Sequence, residues 1–361
     1  MSVRDPSYDV SYRESPVIRK LYLELTDRCN LDCSFCYRRG WELPAVDMSP
    51  EMVARLLRDL ESVEGLEKIV LGGIGEPTYH PRFAEIVRQL SGTSLHLTTN
   101  GTLLHRANRE LLIRHMDAVT VSVDGGPESY MRLRGTDLDR VTGNLEALER
   151  EKKAAGSVTP KLEIQFVANT DNIGDIFRVV DLAVRLNASR VILSNLLPQS
   201  EDYRDKIVYT RCETPEGRSL INRIQSHALH RGMNIALPPL WLKTERFCRF
   251  VEDVAAYITA DGHVVPCYRF SHNCREYVFG REKTVSRYSF GALQEESLLS
   301  IWNSDRYRRF RYRIHANRYP SCLDCDFEQG CDIPVKLEED CLGHAPNCSD
   351  CLWARRLVVC P

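Results

Sequence analysis

From Lys20 to about Gly232 the chain alternates between short apolar runs rich in β-formers and segments whose apolar residues recur every three or four positions. KLYLELT, EKIVLGG, SLHLTTN, AVTVSVD, KLEIQFVAN and SRVILSN read as six strands, each followed by a helix-like segment. The first of those helices shows the logic: Ser49 can cap it, Pro50 suits its first position, and Val53, Leu56, Leu57 and Leu60 make one apolar stripe. Six successive β-α units predict an α/β fold, a parallel sheet whose right-handed crossovers curl it toward a barrel. Six units fall short of the eight that close a TIM barrel, so a partial (β/α)6 TIM-type barrel is expected, with functional groups at the C-terminal ends of its strands.

After Leu237 the pattern changes. AYITADGHVVPC reads as a hairpin, SLLSIWNSDRYRRFRYRI as one helix, and the rest as loop punctuated by cysteines with little core-forming periodicity. The expected division is an N-terminal extension over 1–19, a barrel over 20–237 and a small cysteine-rich domain over 238–361. Such a domain buries too little surface to fold unaided, and metal ligation would supply the missing free energy.

Composition narrows the classes. With 43% hydrophobic residues, 27% charged and a net charge of -2, the chain offers no field for polyanions, so no nucleic acid is expected. The basic and aromatic stretch Arg306 to Arg318 reads instead as a solvated helix face that also meets an acidic electron donor. The N-terminus lacks the apolar core of a signal peptide and no run of about 18 apolar residues occurs, which predicts a cytoplasmic protein without a membrane segment. Fourteen cysteines in a reducing compartment point to metal rather than disulfides. Three lie at 29 to 36; after Cys212, which stands alone, ten more crowd the end.

Cys29-x3-Cys33-x2-Cys36 puts three thiolates on one loop behind the first strand, enough for three corners of an iron-sulfur cube whose fourth iron has no protein ligand. Structural zinc is the alternative, but it wants four closed ligands. This motif, with Phe35 before the last cysteine, resembles the radical S-adenosylmethionine (SAM) enzymes over about the first 200 residues. The resemblance implies a SAM-binding 4Fe-4S cluster on Cys29, Cys33 and Cys36, reductive cleavage of SAM to a 5′-deoxyadenosyl radical, and hydrogen-atom abstraction from a substrate. GGIGEP follows the second strand and resembles the family's glycine-rich SAM motif, often simply GGEP, which implicates Gly72, Gly73 and Glu76 at the SAM ammonium. TTNG ends the third strand and brings in Thr99 and Asn100; SVDG ends the fourth, where Ser122 and Asp124 are candidates for the ribose; Asn195 is a candidate for the adenosine end. Singly, each stretch also reads as a turn or a helix cap. Their order behind the cysteine motif favours the SAM site.

The tail spacing, Cys248-x13-Gly262-x4-Cys267 and then Cys322-x2-Cys325-x5-Cys331, resembles the SPASM extension of radical SAM maturases, with Val335 where a cysteine is expected. The resemblance implies two auxiliary 4Fe-4S clusters, one on Cys248, Cys267, Cys341 and the further candidate Cys274. The other would take Cys322, Cys325, Cys331 and one of Cys348, Cys351 or Cys360. A zinc ribbon of Cys322-x2-Cys325 with Cys348-x2-Cys351 is the structural alternative. The terminal segment resembles the subgroup regarded as maturases of tungsten-dependent aldehyde ferredoxin oxidoreductase-like proteins. The implied partners are a protein or peptide substrate, or the cofactor of a partner oxidoreductase, and a flavodoxin- or ferredoxin-type electron donor. A peptide-crosslinking radical enzyme and a non-catalytic iron-sulfur carrier or scaffold are the other readings. His80, Tyr79, Arg134, Glu163 and Gln165 carry no role by sequence.

Overall fold

In a computed structural model, residues 2–5 and 8–359 are described; Cys360 lies outside them. All six expected strands form: β1 (Lys20–Glu24), β2 (Lys68–Gly72), β3 (Ser94–Thr99), β4 (Ala118–Ser122), β5 (Lys161–Ala168) and β6 (Arg190–Asn195). They lie parallel, neighbour to neighbour in chain order. The intervening helices are α1 (Pro50–Leu60), α2 (Phe83–Gln89), α3 (Arg106–His115), α4 (Pro127–Arg134), α5 (Leu138–Ala154) and α6 (Ile176–Arg185), with α7 (Pro215–His230) following β6. In α1 the Ser49 hydroxyl accepts from Met52 N at 3.2 Å, and Met52, Val53 and Leu56 are buried under the sheet.

Strand β3 shows how the sheet sorts its two faces. Leu95 and Leu97 enter the core with the helices, whereas His96 and Thr98 turn to the lumen, as period-two geometry requires. The lumen is polar in layers. Lys68, His96, Thr120, Glu163 and Arg190 line its lower end, and Ser122, Gln165 and Ser194 its upper end.

The sheet continues across the expected junction at 237/238. The short β7 (Ile235–Ala236) adds to β6, and β8 (Ala255–Ile258) pairs parallel with β1, Ala255 opposite Lys20. β9 (His263–Val265) closes the expected hairpin onto β8, β10 (Asn273–Val278) and β11 (Arg281–Val285) form a second hairpin, and β12 (Gly291–Ala292) ends the main sheet. Its order is β7-β6-β5-β4-β3-β2-β1-β8-β9-β12. Without β8, the outer edge of β1 would present unpaired backbone groups beside the cysteine loop.

Two expectations are corrected here. The single helix expected over SLLSIWNSDRYRRFRYRI is two: after α8 (Arg249–Glu252) come α9 (Leu298–Trp302) and α10 (Asp305–His315). The break comes from a cap, because Ser304 Oγ accepts from Tyr307 N at 3.3 Å. Nor is the arginine-rich face simply solvated. Arg308, Arg311 and Arg313 donate to the carbonyls of Tyr12, Trp302 and Ala345, so the helix uses these charges to hold neighbouring backbone. Among the described residues no helix is long and apolar enough to cross a membrane.

Candidate functional site

The loop after β1 is held by the ends of neighbouring elements and by a bond of its own. Ser34 N donates to Leu133 O at 2.9 Å, Arg38 Nε to Asp27 O at 2.9 Å, and Glu76 N to Arg28 O at 2.8 Å. The last bond explains Gly75: a Cβ there would lie 2.2 Å from Thr26 O and 2.5 Å from Arg28 O, so the glycine-rich loop touches the cysteine loop backbone to backbone. Gly73 has φ +114, a conformation that favours glycine, and its N–H meets the Tyr268 hydroxyl at 3.2 Å.

Three N–H donors approach the thiols. Leu31 N lies 3.4 Å from Cys29 Sγ, Asn100 Nδ2 3.7 Å from the same sulfur, and Arg134 Nη1 3.7 Å from Cys33 Sγ. Burial raises the Cys29 thiol above its ordinary range and pushes Cys36 up to about 11, with the neighbouring Cys33 adding to both. Thiols so disposed stay protonated until a cation displaces the proton. Among the described residues no set of three or more His, Cys, Asp or Glu side chains converges as a single ion requires. Three thiols on one loop, with polar hydrogens turned to the sulfurs, suit a multi-iron cluster better than a closed zinc site.

Beside this loop lies a cavity of about 220 Å³ at the C-terminal ends of the strands. Cys33, Phe35, Gly73, Ser122, Arg134 and Asn195 are in its wall. Asn195 Nδ2 donates to Pro239 O at 3.1 Å, while its buried Oδ1 has no protein partner and can accept from a bound group. Arg134 stands over the Phe35 ring at 5.3 Å.

Other sequence candidates sit one layer back. The Glu76 carboxylate is buried and already accepts from Thr78 N (3.1 Å), Thr78 Oγ1 (2.5 Å), Thr99 Oγ1 (2.8 Å) and Asn100 N (2.7 Å). It therefore braces the ends of β2 and β3. Asn100 reaches Cys29 and Asn30, again as a brace, and Gly72 packs against the Tyr268 hydroxyl. Ser122 and Asp124 do not act side by side as expected. β4 ends at Ser122, so strand alternation no longer governs Asp124, which turns inward to accept from Arg134 Nε at 2.5 Å and Val167 N at 2.6 Å. Of the residues left without a role, Gln165 faces the cavity, whereas Glu163 pairs with Arg190 at 2.8 Å at the far end of the lumen. Tyr79 is exposed, and His80 is buried with Nε2 3.1 Å from Met48 O.

One organising residue escaped the sequence reading. Glu24, fully buried, accepts from Ile74 N (3.0 Å), Tyr257 Oη (3.0 Å) and Ala260 N (3.3 Å), and lies 3.1 Å from His272 Nε2. It ties β1, the glycine loop and the C-terminal region together. The available signal was a carboxylate at the end of a strand whose residues from Leu21 to Leu23 are apolar or aromatic.

The late cysteines group differently from the expectation. Cys248, Cys267, Cys348 and Cys351 line one cavity of about 330 Å³. Burial, then Cys351, pushes Cys248 up to about 12; Cys267 is raised by burial and by the other three thiols. Cys341 and Cys274 are not in this wall. Cys274 is buried against Trp41 and Phe270, and Cys341 is exposed, on the side of Cys322. Cys348 and Cys351 thus belong with Cys248 and Cys267, and the ribbon pairing with Cys322 and Cys325 is not made. Spacing could not reveal this, because thiols about a hundred residues apart are brought together only by the returning tail. Cys322 donates to Ser349 Oγ at 3.0 Å, Cys325 is exposed and Cys331 half-buried; the exposed Cys212 joins neither group.

A buried charge network stands behind the quartet. Arg269 pairs with Glu276 and, at 2.8 Å, with Asp350, which also meets Lys283 Nζ at 2.5 Å; all four side chains are almost wholly enclosed. Against its burial, Arg269 and Lys283 hold the Asp350 carboxyl below the usual carboxylate range.

Residues 23–208 match the Radical SAM superfamily, and residues 248–326 match SPASM, an iron-sulfur cluster-binding domain. The chain is 40% identical over 349 residues, 95% of its length and 97% of the relative's, to the tungsten-containing aldehyde ferredoxin oxidoreductase cofactor-modifying protein of Pyrococcus furiosus. It is 29% identical over 61% of its length, and 72% of the relative's, to a probable GTP 3′,8-cyclase of Pyrococcus abyssi. Among solved structures, the fold is similar to Streptococcus suis SuiB bound to S-adenosylmethionine, with TM-score 0.61 and 18% identity over 88% of this chain and 72% of that one. It is likewise similar to native anSMEcpe with bound AdoMet, with TM-score 0.61 and 16% identity over 95% of this chain and 94% of that one. The thiol triad at the end of β1, the polar cavity beside it and the matches over both regions make the chain a member of the radical SAM superfamily with a SPASM domain, enzymes that cleave SAM and abstract hydrogen atoms from peptide, protein or cofactor substrates.

Proposed function

We propose that the protein is a maturase for a tungsten-dependent aldehyde oxidoreductase, acting on that partner's cofactor or on one of its side chains. The observation that carries the reading is the likeness to the Pyrococcus furiosus cofactor-modifying protein across 95% of the chain, tail included. When bound, a four-iron cluster on Cys29, Cys33 and Cys36 supplies the electron that splits SAM into methionine and a 5′-deoxyadenosyl radical, which takes a hydrogen atom from the substrate. Arg134, held by Asp124 through Nε and Nη2 and turned to Cys33 through Nη1, sets a positive charge at the cavity wall. Asn195 Oδ1 accepts from an amino or hydroxyl group, and Ser122 supplies a hydroxyl at the same wall. Glu76 and Asn100 act through the loops they brace. The cysteine-rich region carries the quartet and, on Cys322, Cys325, Cys331 and Cys341, a second auxiliary site. Reducing power comes from a flavodoxin- or ferredoxin-type donor in the cytoplasm.

The test is an anaerobic turnover of the reconstituted protein with SAM, a reductant and the partner oxidoreductase. Formation of 5′-deoxyadenosine with a mass change on the partner or its cofactor is expected. Deoxyadenosine with an unchanged partner, but a modified short peptide, would favour the peptide-modifying reading.

A further inference from the structure

The C-terminal segment serves two cavities at once. Trp353, Val358 and Val359 are in the wall of the barrel cavity that holds Cys33, Ser122 and Asn195, and also in the wall of the quartet cavity; Tyr268 is the fourth shared residue. Val359 N donates to Ser194 Oγ at 3.0 Å, next to Asn195 at the end of β6. Leu352, Leu357 and Val358 pack on Leu197, Tyr209 and Val278, residues of the barrel rim and β10. Upstream, Phe247 N donates to Ala354 O at 2.8 Å, and the buried Arg355 pairs with Asp324. Only one residue separates Cys351 from Trp353.

From this arrangement we infer that residues 352–359 are the substrate-side wall of the radical cavity, with Trp353 a specificity-determining residue, and that ligation of Cys348 and Cys351 fixes that wall in place. The inference rests on the radical SAM reading and deepens it. Among the described residues, the tail beyond Cys351 contains no helix or strand, and a small apolar patch with a few hydrogen bonds holds it; such segments open locally at low cost. Ligating two thiols at its root removes much of that freedom. The cavity of about 220 Å³ is the space assigned to SAM itself, so with the wall in place a substrate reaches the reacting atom as a slender group: a side chain from an extended segment, or one arm of a small molecule.

The test compares the full chain reconstituted with iron and sulfide against the chelated apo protein by limited trypsin digestion after Arg356, whose side chain is exposed. Cleavage about tenfold slower in the reconstituted protein is expected, and a Cys348→Ser/Cys351→Ser variant should be cleaved at the apo rate under both conditions. Equal rates in the wild type would overturn the tether. For the wall, Trp353→Ala should raise SAM cleavage in the absence of substrate about threefold or more, because solvent and reductant enter, and Trp353→Phe should raise it less, because a ring still fills part of the gap. Equal rates for the two variants would overturn it. If the wild type makes no 5′-deoxyadenosine, the radical reading fails, and the digestion still decides whether the tail is tethered.

Discussion

The thiol triad and the thiol quartet are built in opposite ways. Cys29, Cys33 and Cys36 sit within eight positions on one loop, framed by strand ends that the parallel sheet fixes before any metal arrives. Of the quartet, Cys248 precedes α8 and Cys267 follows β9 of the main sheet, whereas Cys348 and Cys351 come from the region beyond α10, where regular structure among the described residues is reduced to two single turns, Cys322–Asp324 and Glu328–Gly330. The first site borrows its rigidity from the barrel. The second borrows from the sheet only at Cys248 and Cys267; its other half depends on ligation and on the enclosed Arg269, Glu276, Asp350 and Lys283 charges.

That contrast is sharpest when each set of ligands is removed. A Cys29→Ala/Cys33→Ala/Cys36→Ala variant should lose 5′-deoxyadenosine formation completely yet unfold at nearly the wild-type temperature, measured by product chromatography and circular dichroism. A marked loss of stability would mean that the triad also supports the barrel. Removing metal from the quartet by Cys348→Ser/Cys351→Ser should instead cost several kcal/mol in the C-terminal region, on the order expected for a structural metal, and lower the iron content by about four per chain. Urea unfolding followed with iron counting checks both numbers.

The charge network offers a finer cut. Asp350→Ala leaves Arg269 and Lys283 enclosed without their shared partner and should destabilise by about 3–5 kcal/mol even in the apo protein. If the loss appears only after reconstitution, the network serves the metal rather than the fold.

The smallest effect lies in the barrel alone. Burial, with Lys68 nearby, pushes His96 down to about 4. Because its folded value is lowered, the contribution of neutral His96 is present above the ordinary histidine range near 6.5 and is lost as pH falls toward 4. The melting temperature should therefore drop gently between those values, and His96→Gln should flatten the drop; an unchanged slope would assign it to other groups.

Much of the barrel was legible because its information is local. Each strand carries its own apolar run, Ser49 and Pro50 announce their helix, and Cys29, Cys33 and Cys36 are neighbours along the chain. Legibility ended where the strands did. Ser122 and Asp124 obey alternation only while β4 lasts, and Glu76 reads as a ligand-facing carboxylate until the bonds from Thr78, Thr99 and Asn100 are seen to enclose it. Glu24 carries no local signal of the three segments it joins.

The sequence by itself therefore determined the six barrel strands, their parallel succession and the place of the triad, all set by spacing within a few residues. Only the tertiary structure decided which late thiols share a cavity, that β8 completes the sheet beside β1, and that Trp353 and Val358 return to wall the barrel. The reason is physical: periodicity and capping act over one or two turns of chain, whereas ligand grouping and cavity walls depend on which distant surfaces are buried together, and that is settled by the packing of the whole chain.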